Sequence, residues 1–164
     1  MRLRLRVGCV IATSVVSLAV THAMRSPVAP PPTMASGHAT RISSSAPGEL
    51  SVAFSASRQA DGSMSGSARF ESTTGTRAVL AVDCLVVEGN LAKVGGEVLA
   101  SNLPSLVGSS VVFHAEDNGE QPSDPEDRLS SVFITGMPCT TFVIPSSHPG
   151  QLAPIVRGAV RVRE

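Results

Sequence analysis

The densest run of metal-competent side chains lies at residues 116–127. There Glu-Asp-Asn-Gly-Glu-Gln-Pro-Ser-Asp-Pro-Glu-Asp holds six acids in twelve positions. Calcium takes about six to eight oxygen ligands, and a glycine allows the tight turn that gathers them. Asp117, Asn118 and Glu120 flank Gly119, with Asp124 and Asp127 within reach, so weak calcium binding is one expectation for this loop. The spacing is not that of an EF-hand, which alternates its ligands and closes on a glutamate. The alternative is a solvated acidic loop beside Arg128.

Other chemistry is sparse. Cys9, Cys84 and Cys139 are the three cysteines. Cys9 falls in a leader, which leaves Cys84 and Cys139 as an even pair for an oxidising compartment. A bond closing that loop would stabilise the fold by about 4 kcal/mol in the chain-entropy model; two unpaired thiols are the alternative. No Cys-x-x-Cys occurs, so neither a redox motif nor a zinc ribbon is supported. Gly-x-Ser-x-Gly, His-Glu-x-x-His, Ser-x-x-Lys and the phosphate loop are all missing, and no catalytic residue is assigned. His148 lies in a Ser-His-Pro-Gly turn. His114 lies in an apolar run, where a satisfied or exposed strand histidine is expected. Asp83 and Glu97 would make a carboxylate pair if both faced the interior of a barrel; the alternative is that each points outward.

Composition narrows the partners. Thirteen basic and thirteen acidic residues balance over the whole chain. All thirteen acids but only eight of the bases lie at Glu49 or later, so residues 49–164 carry a net charge of −5. Nucleic acid and anionic membrane surfaces are poor partners for such a domain. With neither Trp nor Tyr, aromatic platforms for bases or sugars are not expected.

The elements that must position these residues begin after a leader. Residues 1–23 read as a signal peptide. Arg2, Arg4 and Arg6 precede an uncharged stretch from Val7 to Val20, and Thr21-His22-Ala23 supplies small residues for cleavage after Ala23. Fourteen apolar positions fall short of the roughly 20 that span a bilayer; an uncleaved anchor is the alternative. Residues 24–48 carry Pro27, Pro30-Pro31-Pro32, Ser43-Ser44-Ser45 and Pro47, and read as a disordered, extended linker with a solvated His38.

From 49 to 164 the pattern is that of strands. Val and Ile together number 18 against 9 Leu, a β-branched bias. Leu50, Val52, Phe54 and Ala56 alternate with polar residues. Met64, Gly66, Ala68 and Phe70 do the same beyond the Asp61-Gly62 turn, which predicts a hairpin. Further strands are expected at Ala78–Val87 (covered on both sides), Ala92–Val98, Val111–Ala115, Leu129–Thr135, Thr140–Ile144 and Ile155–Arg163. The last places Val156, Gly158, Val160 and Val162 on one face. About eight short antiparallel strands suit a single closed β-barrel, with a small β-sandwich as the alternative. Such a barrel is either filled by side chains or holds one small ligand, here against Phe54, Phe70 and Phe113.

Four segments, F-S-A-S-R-Q-A-D-G-S-M-S-G (54–66), V-D-C-L-V-V-E-G-N-L-A-K-V-G-G-E-V (82–98), G-S-S-V-V-F-H-A-E-D-N-G-E (108–120) and P-E-D-R-L-S (125–130), occur in an order that resembles a broad group of uncharacterised secreted bacterial proteins. The closing R-G-A-V-R-V (157–162) belongs to the same pattern. The resemblance implies one small exported β-rich domain and no activity. The expectation is therefore a secreted, non-enzymatic barrel without a cofactor. It would bind a small ligand or act at the cell envelope; a protein-interaction or structural module on a flexible spacer is the alternative, and a hydrolase the third.

Overall fold

The computed structural model describes residues 31–43 and 48–164. The leader, its cleavage site, Cys9 and the remainder of the proline-rich stretch lie outside the described residues. The strands are β1 (Thr33–Ile42), β2 (Glu49–Arg58), β3 (Met64–Ser72), β4 (Arg77–Glu88), β5 (Leu91–Ser101), β6 (Ser110–Glu116), β7 (Arg128–Leu129), β8 (Phe133–Ile134) and β9 (Ala153–Arg163). A single 3-10 turn, Pro104–Leu106, joins β5 to β6.

Neighbouring strands run antiparallel in the order β5-β4-β3-β2-β1-β9-β7-β6, and β5 pairs with β6 to close the ring. The chain is thus an eight-stranded antiparallel barrel with β8 as an extra strand on β6. Closure takes most of the edge pairing groups into the ring, which reduces the template for aggregation that an open sheet presents.

Period-two alternation fills the inside. Val52, Phe54 and Ala56 of β2, Ala68 and Phe70 of β3, Leu80 and Val82 of β4, Val94 and Val98 of β5, and Val111, Phe113 and Ala115 of β6 belong to one buried cluster. Phe54 and Phe113 meet edge to face, with ring centroids 5.2 Å apart, the geometry that the ring quadrupoles favour. Aromatic and branched side chains take up the space that would otherwise hold a ligand.

One expectation changes. Residues 33–42, read as part of the disordered linker, form β1, which pairs along its whole length with β2 and from Met34 to Arg41 with β9. Ala35 and Ala39 are buried within the barrel, and His38 is exposed, as anticipated. The inward residues of β1 are small for a physical reason. Gly37 stands opposite Phe54, and a Cβ there would come 3.1 Å from the Phe54 ring and 2.7 Å from the Ala159 carbonyl oxygen. A segment that makes room for a phenylalanine does not look hydrophobic by itself.

Two strands differ as well. Leu129–Thr135 is broken into the two-residue β7 and β8, and 140–144 forms no strand. β4 is covered on its outer side only in part, because Val79 remains 40% exposed. In β9 a register shift opposite Thr40 and Arg41 moves the alternation by one. Ile155 packs on the core while Val156 is half exposed.

Arg41 ends the inner row of β1 and is 1% exposed. Its Nη1 donates to the carbonyl oxygens of Leu129 (3.1 Å) and Gln151 (2.8 Å), and its Nε to that of Ile42 (3.0 Å). Burial lowers the guanidinium's pKa, yet arginine keeps its charge in proteins. It ties β1 to β7 and to the approach to β9. Replacing it by methionine (Arg41→Met) roughly preserves volume and removes these three hydrogen bonds. The expected loss is about 2–4 kcal/mol in urea unfolding; a change below about 0.5 kcal/mol would show that the tie is dispensable.

Candidate functional site

Among the described residues, a second layer covers the outer wall of the barrel over β4, β5 and β6. There the stretch from β8 to β9 folds back across the sheet and builds a second small core. Val112, Cys139 and Phe142 are buried in it, with Cys84, Val86, Phe133 and Ile144 packed against them. Cys84 on β4 and Cys139 in this covering segment form a disulfide, with Cα atoms 6.1 Å apart. Gly95 on β5 lies beneath it, and a Cβ there would stand 2.9 Å from the Cys139 Cβ. Gly95 thus lets the cover approach the sheet closely, whereas Gly96 makes room for the β4 backbone at Ala81. His148 is exposed; its Nδ1 accepts the Gly150 amide at 2.9 Å and its ring packs on Phe133. Its role is to shape the cover.

His114 is the unusual member of this face. It points outward from β6, opposite Lys93 of β5, and the cover buries it to 6% exposure. Its ring meets Phe142 edge-on, with centroids 5.9 Å apart. The His114 backbone amide donates to the Ser130 hydroxyl at 2.8 Å, but its side-chain Nε2 is buried with no hydrogen-bond partner. The expected satisfied or exposed histidine is therefore neither. The sequence conceals this because the residues that bury the ring, such as Phe142, lie far along the chain and are brought over it by the disulfide. Burial pushes the imidazole pKa down to about 4; Lys93 pushes the same way, and Glu88 opposes weakly. The ring is neutral at pH 7.

Beside His114 the cover leaves a cleft of about 380 Å³. Lys93 and Arg128 stand in its walls with Glu88, and Leu91, Ile144 and Leu152 give it apolar surface. Lys93 Nζ bonds Glu88 at 3.1 Å with its side chain only 13% exposed. Arg128 donates to Glu116 (3.3 Å) and to the Leu152 carbonyl oxygen (2.8 Å). Ser146 also lines the cleft, but the orphaned Nε2 contacts no hydroxyl. The contact that would activate a serine nucleophile is not formed.

The remaining sequence candidates are dispersed. Asp83 and Glu97 are both exposed on the outer face and form no interior carboxylate pair. In the acidic loop, Asp117 accepts the amides of Gly119 (3.1 Å) and Val162 (2.9 Å). Asp127 accepts those of Asn118 (2.9 Å) and Val160 (2.8 Å). Asp124 accepts the Gln121 amide at 2.8 Å, Asn118 donates to the Glu126 carbonyl oxygen at 2.8 Å, and Glu120 pairs with Arg161 at 2.9 Å. These five side chains shape the loop and fasten it to β9. Among the described residues no three His, Cys, Asp or Glu side chains are grouped to hold a metal.

No known protein family, curated protein or solved structure gives a significant match to the chain. No helix among the described residues is long and apolar enough to cross a membrane.

Two predictions follow from the cover and the histidine beneath it. Replacing both cysteines (Cys84→Ala with Cys139→Ala) should lower unfolding free energy by up to about 4 kcal/mol. Amide exchange should quicken mainly at 136–152, while β1–β6 remain protected; uniform quickening would mean that the cover and barrel unfold as one unit. For His114, the folded pKa lies below the unfolded value, so the unfolded chain binds the proton more readily. The stabilising difference is complete above pH 6.5 and is lost as pH falls towards about 4. The wild type should lose roughly 3 kcal/mol over that window relative to His114→Phe, measured by denaturant titration at each pH. Parallel pH profiles for the two proteins would refute the burial of a neutral ring.

Proposed function

We propose that this chain is an exported, non-enzymatic binding module that holds its ligand on the outer wall of the barrel and not inside it. The observation that carries the reading is the packing of the interior. Phe54 and Phe113 meet edge to face within the buried cluster, and Arg41 lies buried at the end of the β1 row. Recognition therefore falls to the outside, where the cleft beside His114 combines concavity, apolar lining and a few convergent polar groups. The Cys84–Cys139 bond fits an oxidising compartment, and the arginine-led apolar leader supports export.

A second reading, an interaction module, rests on a different patch. Leu99 (59% exposed), Leu103 (44%) and Val107 (50%) leave apolar surface at the end of β5 and in the turn that follows. Screening a library of small fragments against isotope-labelled protein by amide NMR separates the readings. Shifts confined to residues 88–93, 114 and 143–152 are expected for the binding module. Shifts at the inward residues of β2, β3 and β6 would place the ligand inside and overturn it, and silence throughout would leave the interaction module.

A further inference from the structure

We propose that the cleft beside His114 takes a small amphipathic organic anion: a carboxylate on a short apolar tail. The inference rests on the outer-wall reading above and names the chemistry of its ligand. Three observations carry it. First, Lys93 and Arg128 each bond one carboxylate, Glu88 and Glu116, and keep further N–H donors to spare. Lys93 and Arg128 both line the cleft, against Glu88 as the acid in its wall. An anion gains the spare donors of both, which a cationic ligand cannot use. Arginine is suited to a carboxylate because its planar fork offers paired donors, and lysine adds a mobile point charge.

Second, His114 is 6% exposed in the wall of this cleft, and its Nε2 has no partner. A buried polar atom left unpaired is costly, and native structures hold few of them. Nε2 itself is buried beneath the cleft surface, so the neutral ring forms part of the wall and adds no third charge.

Third, the rest of the lining and the size fix the body of the ligand. Leu91, Ile144 and Leu152 offer apolar surface, and about 380 Å³ lies at the low end for small-molecule sites. An inorganic anion would leave that surface unused. A large lipid would overfill the volume.

The test uses three probes of one shape and three charges: hexanoate, hexanamide and hexylamine. Each is titrated into the full chain at matched ionic strength while backbone amides are followed by NMR. Hexanoate is expected to move the amides of residues 91–93, 114 and 144–152 at millimolar concentration, and to bind at least about tenfold more tightly than either other probe. Lys93→Met and Arg128→Gln should each weaken hexanoate by about tenfold, whereas Arg69→Gln, on β3 and outside the cleft lining, should not. Lys93→Arg, which keeps the charge, should retain binding; this guards against reading a folding defect as lost recognition. Equal or tighter binding of hexylamine or hexanamide in the cleft would overturn the anion while leaving outer-wall binding intact. Silence of all three probes also overturns it, and the fragment screen then decides whether the outer-wall reading falls too.

Discussion

Closure of the sheet on itself is the constraint on which the rest of the molecule depends, and it is weakest at one seam. Seven of the strands join broadly, but β7 contributes two residues, pairing Arg128 with Pro154 and Leu129 with Ala153. Beyond that point β9 runs on towards Arg163 with no strand on its second side. The acidic loop takes the missing strand's place. The Asp127 and Asp117 carboxylates accept the amides of Val160 and Val162, and the Asp127 carbonyl oxygen accepts that of Ile155. Carboxylates can cap amides in this way and still present charge outwards, so the free edge is finished and also made unattractive to another strand. Two of the acids that suggest a cation site by their spacing, Asp117 and Asp127, thus stand where a neighbouring strand's acceptors would be.

Much of the fold was legible in the sequence because a barrel wall has a period of two. Leu50 to Ala56 and Met64 to Phe70 announce a hairpin by alternation alone, and the register pairs Val52 with Phe70 and Phe54 with Ala68. Illegible were the places where a long-range partner decides. β1 hides in a proline- and serine-rich stretch because Ala35, Gly37 and Ala39 are small to suit Phe54 and the β9 backbone. The 140–144 run looks like a strand by its apolar residues, yet Phe142 is buried by packing on Val112 across the outside of the wall. Hydropathy reports burial but cannot say on which side of a sheet it occurs.

The site shows the same division. Cys84 and Cys139 could be paired from their number, since an even pair in an oxidising compartment has a physical reason to bond. His114 could be singled out as one of few bases but not placed. Its environment is assembled from the β5 neighbour Lys93, the cover residue Phe142 and the β7 residue Arg128. Lys93 and Arg128 lie on opposite sides of His114 along the chain, at β5 and β7. Only their cross-strand proximity makes them one group, and no spacing rule links them.

The two cores give the molecule two mechanical parts. The inner one is enclosed by a continuous ring of paired strands, and its small-against-large packing leaves little freedom to rearrange. The outer one consists of a few apolar residues under an irregular segment, held to the wall by one covalent bond. Free energy for local opening follows the density of buried contacts and backbone pairing, so the cover should open well before the barrel does. A cleft formed between a rigid wall and a tethered cover keeps Lys93 and His114 in fixed register on adjacent strands, while Ile144 and Leu152 can adjust to the body of what enters. In that arrangement the β5–β6 pairing holds the polar contacts in place, and the disulfide limits how far the apolar side can move away.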